Sequence, residues 1–299
     1  MTAVETRLAE VAPGSRLRVA LALLAVYIVW GSTYLAIRYT LTSFPPFLMA
    51  GSRFTIAGAL MLLMARARGQ ALPSIRQWRN AALVGALLLV TGNGVVVFAE
   101  QWVSSTMTAL MLATVPIWTA LLAGLWGRWP ARLEWVGLAL GFGGIVLLNF
   151  EGNLQANPLG AAAVLFAAIS WSLGSALSRR IDLPAGLMGS GAEMFSAGLM
   201  LALISLGLGE RMAALPSPVA LAAYLYLIVF GSVVAFSAYG FLLGHTRPAL
   251  SSSFAYVNPV VAVLLGVGLA GEQISAPGLL GMAVILAALV LVIRPRAAG

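Results

Sequence analysis

Long apolar stretches alternate with short polar connections along the whole chain. A helix needs about 20 mostly apolar residues to cross the hydrocarbon core of a bilayer. Ten stretches approach or reach this length, at residues 19–38, 46–65, 81–99, 104–126, 133–150, 158–178, 185–208, 217–242, 248–270 and 275–293. The connections are often marked by proline or glycine. The pattern therefore predicts an all-α integral membrane protein with ten transmembrane helices, for which the lipid bilayer is the solvent.

The composition supports this prediction and excludes several kinds of site. Of the 299 residues, 61% are hydrophobic and 9% are charged, whereas soluble domains carry about 25% charged residues. The chain has no cysteine and one histidine, His245, and a structural zinc site needs about four Cys or His ligands. We therefore expect no metal and no cofactor. The sequence also lacks a G-x-x-x-x-G-K-[ST] stretch, which excludes an ATP-driven pump built from this chain alone.

The distribution of the 17 basic residues, all of them arginines, predicts the orientation of the chain in the membrane. Fourteen lie in the terminal segments 1–18 and 294–299 or in the even-numbered connections, while Arg38 and Arg211 lie on the other side and Arg53 falls inside a span. Because short cytoplasmic loops are enriched in basic residues, both termini are predicted to be cytoplasmic. The net charge of +8 is thus a topology signal and not a sign of nucleic-acid binding. The absence of lysine indicates GC-rich coding and a bacterial cytoplasmic membrane.

The two halves of the chain are related to each other. The third to fifth spans match the eighth to tenth at an offset near 143, with Phe98 over Phe241 and Pro116 over Pro259. The halves cover residues 19–150 and 158–293, with five spans each. An odd number of spans inserts the second half in the opposite orientation, so the architecture is a 5+5 inverted repeat. Many secondary transporters have this architecture, with a substrate site near the bilayer midplane between the repeats.

The same segments carry a family resemblance. Residues 30–40 read WGSTYLAIRYT, residues 256–259 read YVNP and residues 271–272 read GE. This pattern resembles the drug/metabolite transporter superfamily, in particular its EamA-type ten-span exporters. The resemblance implies a central cavity surrounded by spans one to four and six to nine, and export of small metabolites, commonly amino acids. Other branches carry nucleotide sugars or cationic drugs, and the first half lacks the acidic residue of the pattern, since residues 127–128 read GR.

Two charged residues fall inside the predicted spans, where a charge costs roughly 3 kcal/mol on insertion scales. Arg53 lies in the second span and Glu193 in the seventh, and their depths in the bilayer differ by roughly 9 Å. As functional residues, Arg53 would bind a substrate carboxylate. Glu193 would bind a substrate ammonium group or a coupling proton, since burial favours the protonated carboxyl group. The alternative is a structural pair, or side chains that extend toward water.

Aromatic residues at equivalent places in the two repeats predict the wall of the cavity. Trp30 and Tyr34 share a face of the first span, and Trp171 is the counterpart of Trp30 in the sixth, with Ser175 close by. Aromatic rings at this depth can stack on a substrate or hold a cation. The alternative for the first span is aromatic packing with Tyr34 in the interfacial belt, and for the sixth span close helix packing through small residues.

Three further features are candidates for binding or bending. Asn93 lies between two glycines in the third span, which predicts a local helix break or a close backbone contact, and an amide that could bond a substrate or a neighbouring helix. Tyr256 in the ninth span is a further candidate for substrate contact. Pro116 and Pro259 each free a carbonyl four residues earlier, and we predict that they act as helix hinges.

The leading hypothesis is therefore a secondary transporter that exports small metabolites by alternating access, with amino acids as the first substrate class. The alternatives are export of other metabolites or of cationic or aromatic drugs, and a membrane-embedded enzyme. No predicted span carries two carboxylates at helical spacing for acid–base chemistry, and nothing resembles a selectivity-filter loop. Proton coupling, exchange and facilitated transport all stay open, as does the oligomeric state.

Overall fold

The computed structural model describes residues 13–99, 101–103, 108, 111–127, 129–148, 158–270 and 276–293. These residues form helices joined by turns, and no strand occurs among them. We number the helical elements in chain order as α1 (Pro13–Leu41), α2 (Pro46–Ala67), α3 (Ile75–Ala99), α4 (Val115–Leu125), α5 (Arg132–Leu148), α6 (Pro158–Ser178), α7 (Gly186–Gly207), α8 (Pro218–His245), α9 (Pro248–Ser252 and Phe254–Ala270) and α10 (Ala276–Ile293).

Several of these helices are long and apolar enough to cross a membrane. In the described part of the chain, seven satisfy both conditions, namely α1, α2, α3, α6, α7, α8 and α9. The apolar helices α4 and α10 are shorter as described. The prediction of an all-α, multi-span membrane protein is confirmed, while the count of ten crossings stays a prediction.

The helices pack in pairs that join the two halves. Helix α2 packs against α7, and α5 packs against α10. Helix α1 contacts α8 and α9 of the second half, and α6 contacts α3 and α4 of the first half in the corresponding way. These contacts of a helix in one half thus recur between the equivalent helices with the halves exchanged, as expected for a pseudo-twofold arrangement.

Glycines allow the closest of these pairs to approach backbone to backbone. Helix α2 carries Gly51 and Gly58, and α7 carries Gly191 and Gly198, in each case two glycines seven residues apart. Seven residues make about two helical turns, so both glycines of a helix lie on one face. A β-carbon placed on Gly198 would be 2.3 Å from the backbone nitrogen of Thr55, where no side chain can be accommodated.

Two π-helical segments interrupt the regular helices at corresponding places in the repeats. They cover Ala86–Gly94 in α3 and Leu227–Val234 in α8. The local helix break predicted at Asn93 therefore exists, and it has the form of a widened turn. A side chain of a neighbouring helix donates a hydrogen bond to a backbone carbonyl of the widened turn in α3: the hydroxyl of Ser170 donates to the carbonyl of Leu87 at 2.9 Å. Such segments occur frequently at functional sites.

The two prolines predicted as hinges lie beside, and not at, the irregularities in their helices. Pro116 stands in the first turn of α4, directly after a turn that ends at Thr114. Pro259 lies inside the second piece of α9, whereas the interruption of α9 is at Ser253. Proline is well tolerated in a first turn because its missing N–H has no partner there. Bending at either proline stays a prediction.

One end of the bundle holds several arginines that connect different helices, and we call it the arginine-rich end. Arg247, at the start of α9, forms a salt bridge with the largely buried Glu134 of α5. Arg179, at the end of α6, donates to the carbonyl of Thr246 at 2.8 Å and to the Ser251 hydroxyl at 2.7 Å. Arg180 lies with its guanidinium carbon 4.2 Å from the centre of the Trp126 ring. These contacts tie α4, α5, α6, α8 and α9 together at this end.

Candidate functional site

A cavity of about 100 Å³ lies between the two halves of the bundle. Its lining residues come from α1, α2, α3, the segment around the start of α4, α6, α7, α8 and α9. Five of the predicted site residues line it, namely Trp30, Tyr34, Arg53, Asn93 and Trp171. Neither α5 nor α10 contributes to the described lining, in agreement with the peripheral position that the resemblance implies for them.

Four aromatic side chains, which we call the aromatic cluster, pack together at one border of this cavity, and all of them except Tyr239 line it. They are Trp30 of α1, Trp171 of α6, Tyr239 of α8 and Phe254 of α9. Every pair among them is in contact, with ring centres 4.9 to 6.1 Å apart. Aromatic pairs in this range each contribute about 0.5–1.5 kcal/mol beyond the area they bury. The cluster lies on the side of the cavity toward the arginine-rich end, since Tyr239 follows the lining residue Phe236 toward that end of α8.

Hydrogen bonds hold the polar edges of the aromatic cluster. The indole N–H of Trp30 donates to the carbonyl of Gly231, 3.1 Å away in the π-helical segment of α8. The indole N–H of Trp171 donates to the Tyr239 hydroxyl oxygen at 3.0 Å. Ser175 and Tyr239 bring their hydroxyl oxygens to 2.6 Å. Ser175, a candidate for substrate contact, lies outside the described lining and is bonded to Tyr239.

Arg53 is the one charged side chain in the described lining of the cavity. It is 4% exposed, and its Nε and Nη1 atoms are buried without a hydrogen-bond partner in the described chain. Its guanidinium carbon lies 4.2 Å from the ring centre of Phe54, which also lines the cavity. A cation–π contact of this kind contributes up to about 2 kcal/mol when desolvated, whereas removing a charge from water costs several kcal/mol. The site is therefore suited to an anionic group that completes the pairing of Arg53.

Asn93 is the second lining residue with an unpaired buried atom. Its Oδ1 atom is buried and accepts no hydrogen bond in the described structure. The neighbouring Gly92 lies against Trp171, and a β-carbon there would be 3.1 Å from the indole ring. The widened turn of α3 thus brings an amide and the aromatic cluster to the same cavity.

Glu193 does not line the cavity, although its neighbour Met194 does. The side chain is buried, with 8% exposure, and forms no hydrogen bond or salt bridge within the described residues. Its backbone carbonyl packs against Gly85, where a β-carbon would be 2.3 Å away. Arg53 and Glu193 are not paired. Since Gly198 faces Thr55, position 200 of α7 is level with Arg53, and Glu193 is seven residues, about 10.5 Å, further along the helix.

Tyr256 also lies outside the described lining. Its ring packs on Gly141 of α5, and its hydroxyl donates to the carbonyl of Leu138 at 3.0 Å. The side chain is 1% exposed and belongs to a second apolar cluster that includes Ile145 and Ile285. The structure therefore assigns Tyr256 to the packing of α9 on the peripheral helices and not to the cavity.

Sequence reasoning missed Phe254 and Tyr239 as members of the aromatic cluster. Neither has an aromatic counterpart at the offset of the repeat, where Met111 and Val96 stand, so a search for repeat-related aromatics passes over them. Asn258 also lines the cavity. With its amide nitrogen directed toward the carbonyls of Tyr27 and Phe254, at 3.3 and 3.1 Å, this amide is satisfied within the protein.

The bundle and its cavity define a multi-pass helical membrane protein with a buried site between two halves. The sequence model of the EamA-like transporter family matches residues 17–150 and again residues 158–294. Two matches that together cover nearly the whole chain show that it belongs to the EamA-like transporter family.

Individual relatives agree with this assignment. The chain is 49% identical over 272 residues to the inner membrane transporter YedA of Escherichia coli K12, covering 91% of this chain and 89% of that protein. It is 30% identical over 268 residues to the protein PecM of Dickeya dadantii, with 88% of each chain covered. A protein of known crystal structure superposes with a TM-score of 0.77 over 92% of this chain, at 22% identity, which supports the fold alone. The chain is thus an inner-membrane transporter and not an enzyme.

Proposed function

We propose that this transporter exports small metabolites that carry a carboxylate group and an apolar side chain, with amino acids as the first class to test. Transport proceeds by alternating access between the two halves, residues 19–150 and 158–293, with both termini in the cytoplasm. The double family match and the paired packing of the helices support two structurally equivalent halves. The arginines at one end support its cytoplasmic location, because basic residues concentrate in cytoplasmic loops.

The unpaired guanidinium of Arg53 is the observation that carries the substrate proposal. A carboxylate accepts two parallel hydrogen bonds from a guanidinium group, which combines charge with a defined geometry. The aromatic cluster then offers Trp30, Trp171 and Phe254 to the apolar part of the substrate. Tyr34 completes the wall on α1. Because the cluster lies toward the arginine-rich end, it would separate the bound substrate from the cytoplasm in this conformation.

Cationic or aromatic drugs are the second candidate class. Aromatic rings can hold a cation over their faces, and the aromatic cluster favours this reading. The charge of Arg53 opposes it, since two like charges in a site of low dielectric constant repel each other. Among the described lining residues no carboxylate compensates this charge.

Coupling to protons belongs to Glu193 in this proposal. A buried carboxyl group without a hydrogen-bond partner can gain and lose a proton without breaking another contact. Helix α7 packs on α8 close to Glu193 and Tyr239, since a β-carbon on Gly240 would lie 2.8 Å from the hydroxyl oxygen of Ser190. A change of charge at Glu193 would therefore act on the border of the cavity and not on the substrate directly.

Transport into proteoliposomes across a panel of amino acids tests the proposal, with Arg53→Gln as the decisive variant. Truncating one partner of a buried charge pair costs about 2–5 kcal/mol, so we expect KM to rise at least about tenfold. Arg38→Gln is the matched control, because Arg38 is exposed at the end of α1. Absence of transport for every amino acid would reject this substrate class. Equal kinetics of Arg53→Gln and the parent would remove Arg53 from the binding site.

A further inference from the structure

Some polar side chains of the cavity are hydrogen-bonded within the protein, and others have polar atoms without a partner. Among the described residues, two lining side chains have buried polar atoms without a hydrogen bond: Arg53, through Nε and Nη1, and Asn93, through Oδ1. Two other polar side chains of the described lining, Thr33 and Asn258, are already bonded within the protein. The hydroxyl of Thr33 donates to the carbonyl of Trp30 at 2.7 Å, and the amide of Asn258 is satisfied by backbone carbonyls.

The two unpaired groups require opposite hydrogen-bonding partners in a ligand. Arg53 offers donors and a positive charge, whereas the free atom of Asn93 is a neutral acceptor. A buried polar group without a partner costs about 1–3 kcal/mol, and a ligand that supplies the missing partner recovers this cost. A ligand that fills both positions must therefore present an anionic acceptor to Arg53 and a hydrogen-bond donor to Asn93.

No acidic side chain of the described lining competes with Asn93 for a donor group of the substrate. The described lining contains no Asp or Glu, and Glu193 is not part of it although its chain neighbour Met194 is. An ammonium or hydroxyl group of a substrate that enters the cavity therefore meets the neutral amide of Asn93.

We propose that Asn93 is a specificity-determining residue that accepts a hydrogen bond from a donor group of the substrate. The transporter then selects carboxylates that also carry an ammonium or hydroxyl group, such as amino acids and hydroxy acids, over plain carboxylates with the same apolar body. This inference rests on the proposed function, because it takes a carboxylate on Arg53 as given. The π-helical segment of α3 serves this selection by placing the amide beside the aromatic cluster.

Binding of three compounds with one apolar body tests the inference. Phenylalanine carries an ammonium group, 3-phenyllactate carries a hydroxyl group, and 3-phenylpropionate carries neither. Their Kd values are measured by calorimetry on the detergent-solubilised, full-length protein. For the parent protein we expect the first two compounds to bind about tenfold or more tightly than the third, as one buried hydrogen bond predicts.

Two variants test whether Asn93 causes the preference for compounds that carry a hydrogen-bond donor. Asn93→Leu removes the acceptor at similar size, and we expect the ratio between 3-phenyllactate and 3-phenylpropionate to fall to about two or less. Thr33→Val is the matched control, since it removes a lining hydroxyl that is already bonded to its own helix, and it should keep the parent ratio. Retained binding of 3-phenylpropionate shows that the Asn93→Leu cavity is intact.

The parent protein alone can overturn the inference, even if Asn93→Leu fails to fold. Equal affinity for the three compounds, with binding that Arg53→Gln still weakens, rejects the role of Asn93 and leaves the proposed function standing. A preference that persists in Asn93→Leu rejects it as well. Failure of the parent to bind any of the three compounds, together with no transport across the amino-acid panel, rejects both.

Discussion

Gly198 of α7 faces Thr55 of α2 so closely that a β-carbon on the glycine would lie 2.3 Å from the threonine backbone nitrogen. The neighbour is backbone, which cannot move aside as a flexible side chain can. Overpacking of this kind typically costs about 1–3 kcal/mol or more. We therefore expect Gly198→Ala to lower the melting temperature of the purified protein by several degrees, as measured by thermal unfolding in detergent.

Gly207 provides the control within the same helix. A β-carbon at Gly207 would meet nothing within 4 Å, and alanine is the better helix former by about 0.5–1 kcal/mol. Gly207→Ala should leave the melting temperature unchanged or raise it slightly. Equal effects of the two substitutions would show that the close approach of α2 and α7 does not limit stability.

Tyr239 accepts the hydrogen bond that joins two members of the aromatic cluster. Tyr239→Phe keeps the ring but leaves the indole N–H of Trp171 without its acceptor and Ser175 without its partner hydroxyl. A buried donor without a partner costs about 1–3 kcal/mol. We expect a lower melting temperature and a several-fold lower transport rate, because the border of the cavity loses its fixed geometry.

Tyr39→Phe is the control for this substitution, since Tyr39 is 46% exposed and lies at the end of α1 away from the cluster. It should match the parent in both measurements. A Tyr239→Phe variant with parental stability and transport would mean that ring packing alone holds the aromatic cluster together.

Arg247 and Glu134 connect α9 to α5 at the arginine-rich end. Removing one partner loses the attraction of the pair while the other charge keeps its cost of burial, whereas removing both charges costs less. We predict that Glu134→Gln and Arg247→Gln each destabilise the protein, and that the double variant is more stable than the sum of the single effects predicts. A double-mutant cycle on thermal stability should give a coupling energy of about 0.5–3 kcal/mol. Additive effects would show that the pair contributes nothing as a pair.

Five residues of the cavity could be predicted from three physical signals in the sequence. Arg53 is predicted because a charged side chain inside an apolar span is costly, and Asn93 because it is an amide flanked by two glycines. Trp30 and Trp171 stood out because they recur at equivalent places in the repeats, and Tyr34 followed from helical spacing. All five lie at one cavity, while their contact with substrate stays a prediction.

The same signals do not distinguish residues that line the cavity from residues that bond to other parts of the bundle. Ser175 and Tyr256 are polar and inside spans, yet their hydroxyls bind Tyr239 and the carbonyl of Leu138. Which neighbour a side chain meets depends on the rotation of its helix. In a helix that is apolar on every face, the pattern of residues does not encode this rotation. For the same reason the sequence does not predict that Phe254, an apolar residue among apolar residues, belongs to the aromatic cluster.

Glu193 is the residue on which proton coupling depends. Its carboxyl group is buried and forms no hydrogen bond within the described residues. If export exchanges substrate for protons, acid on the outer side drives it, because each cycle returns a proton to the cytoplasm. For the parent protein in proteoliposomes we expect efflux of preloaded substrate to increase several-fold when the outer solution is acidified.

Glu193→Gln keeps the size of the side chain but cannot exchange a proton, so we expect it to lose the acceleration by the gradient. Its substrate exchange without a gradient should continue, because Glu193 does not line the described cavity. Glu210→Gln is the control, since Glu210 lies in the α7–α8 connection, where its carboxylate accepts from the backbone N–H of Leu48 at 2.7 Å. That variant should respond to the gradient as the parent does. Unchanged acceleration in Glu193→Gln would remove Glu193 as the proton site and favour exchange or facilitated transport.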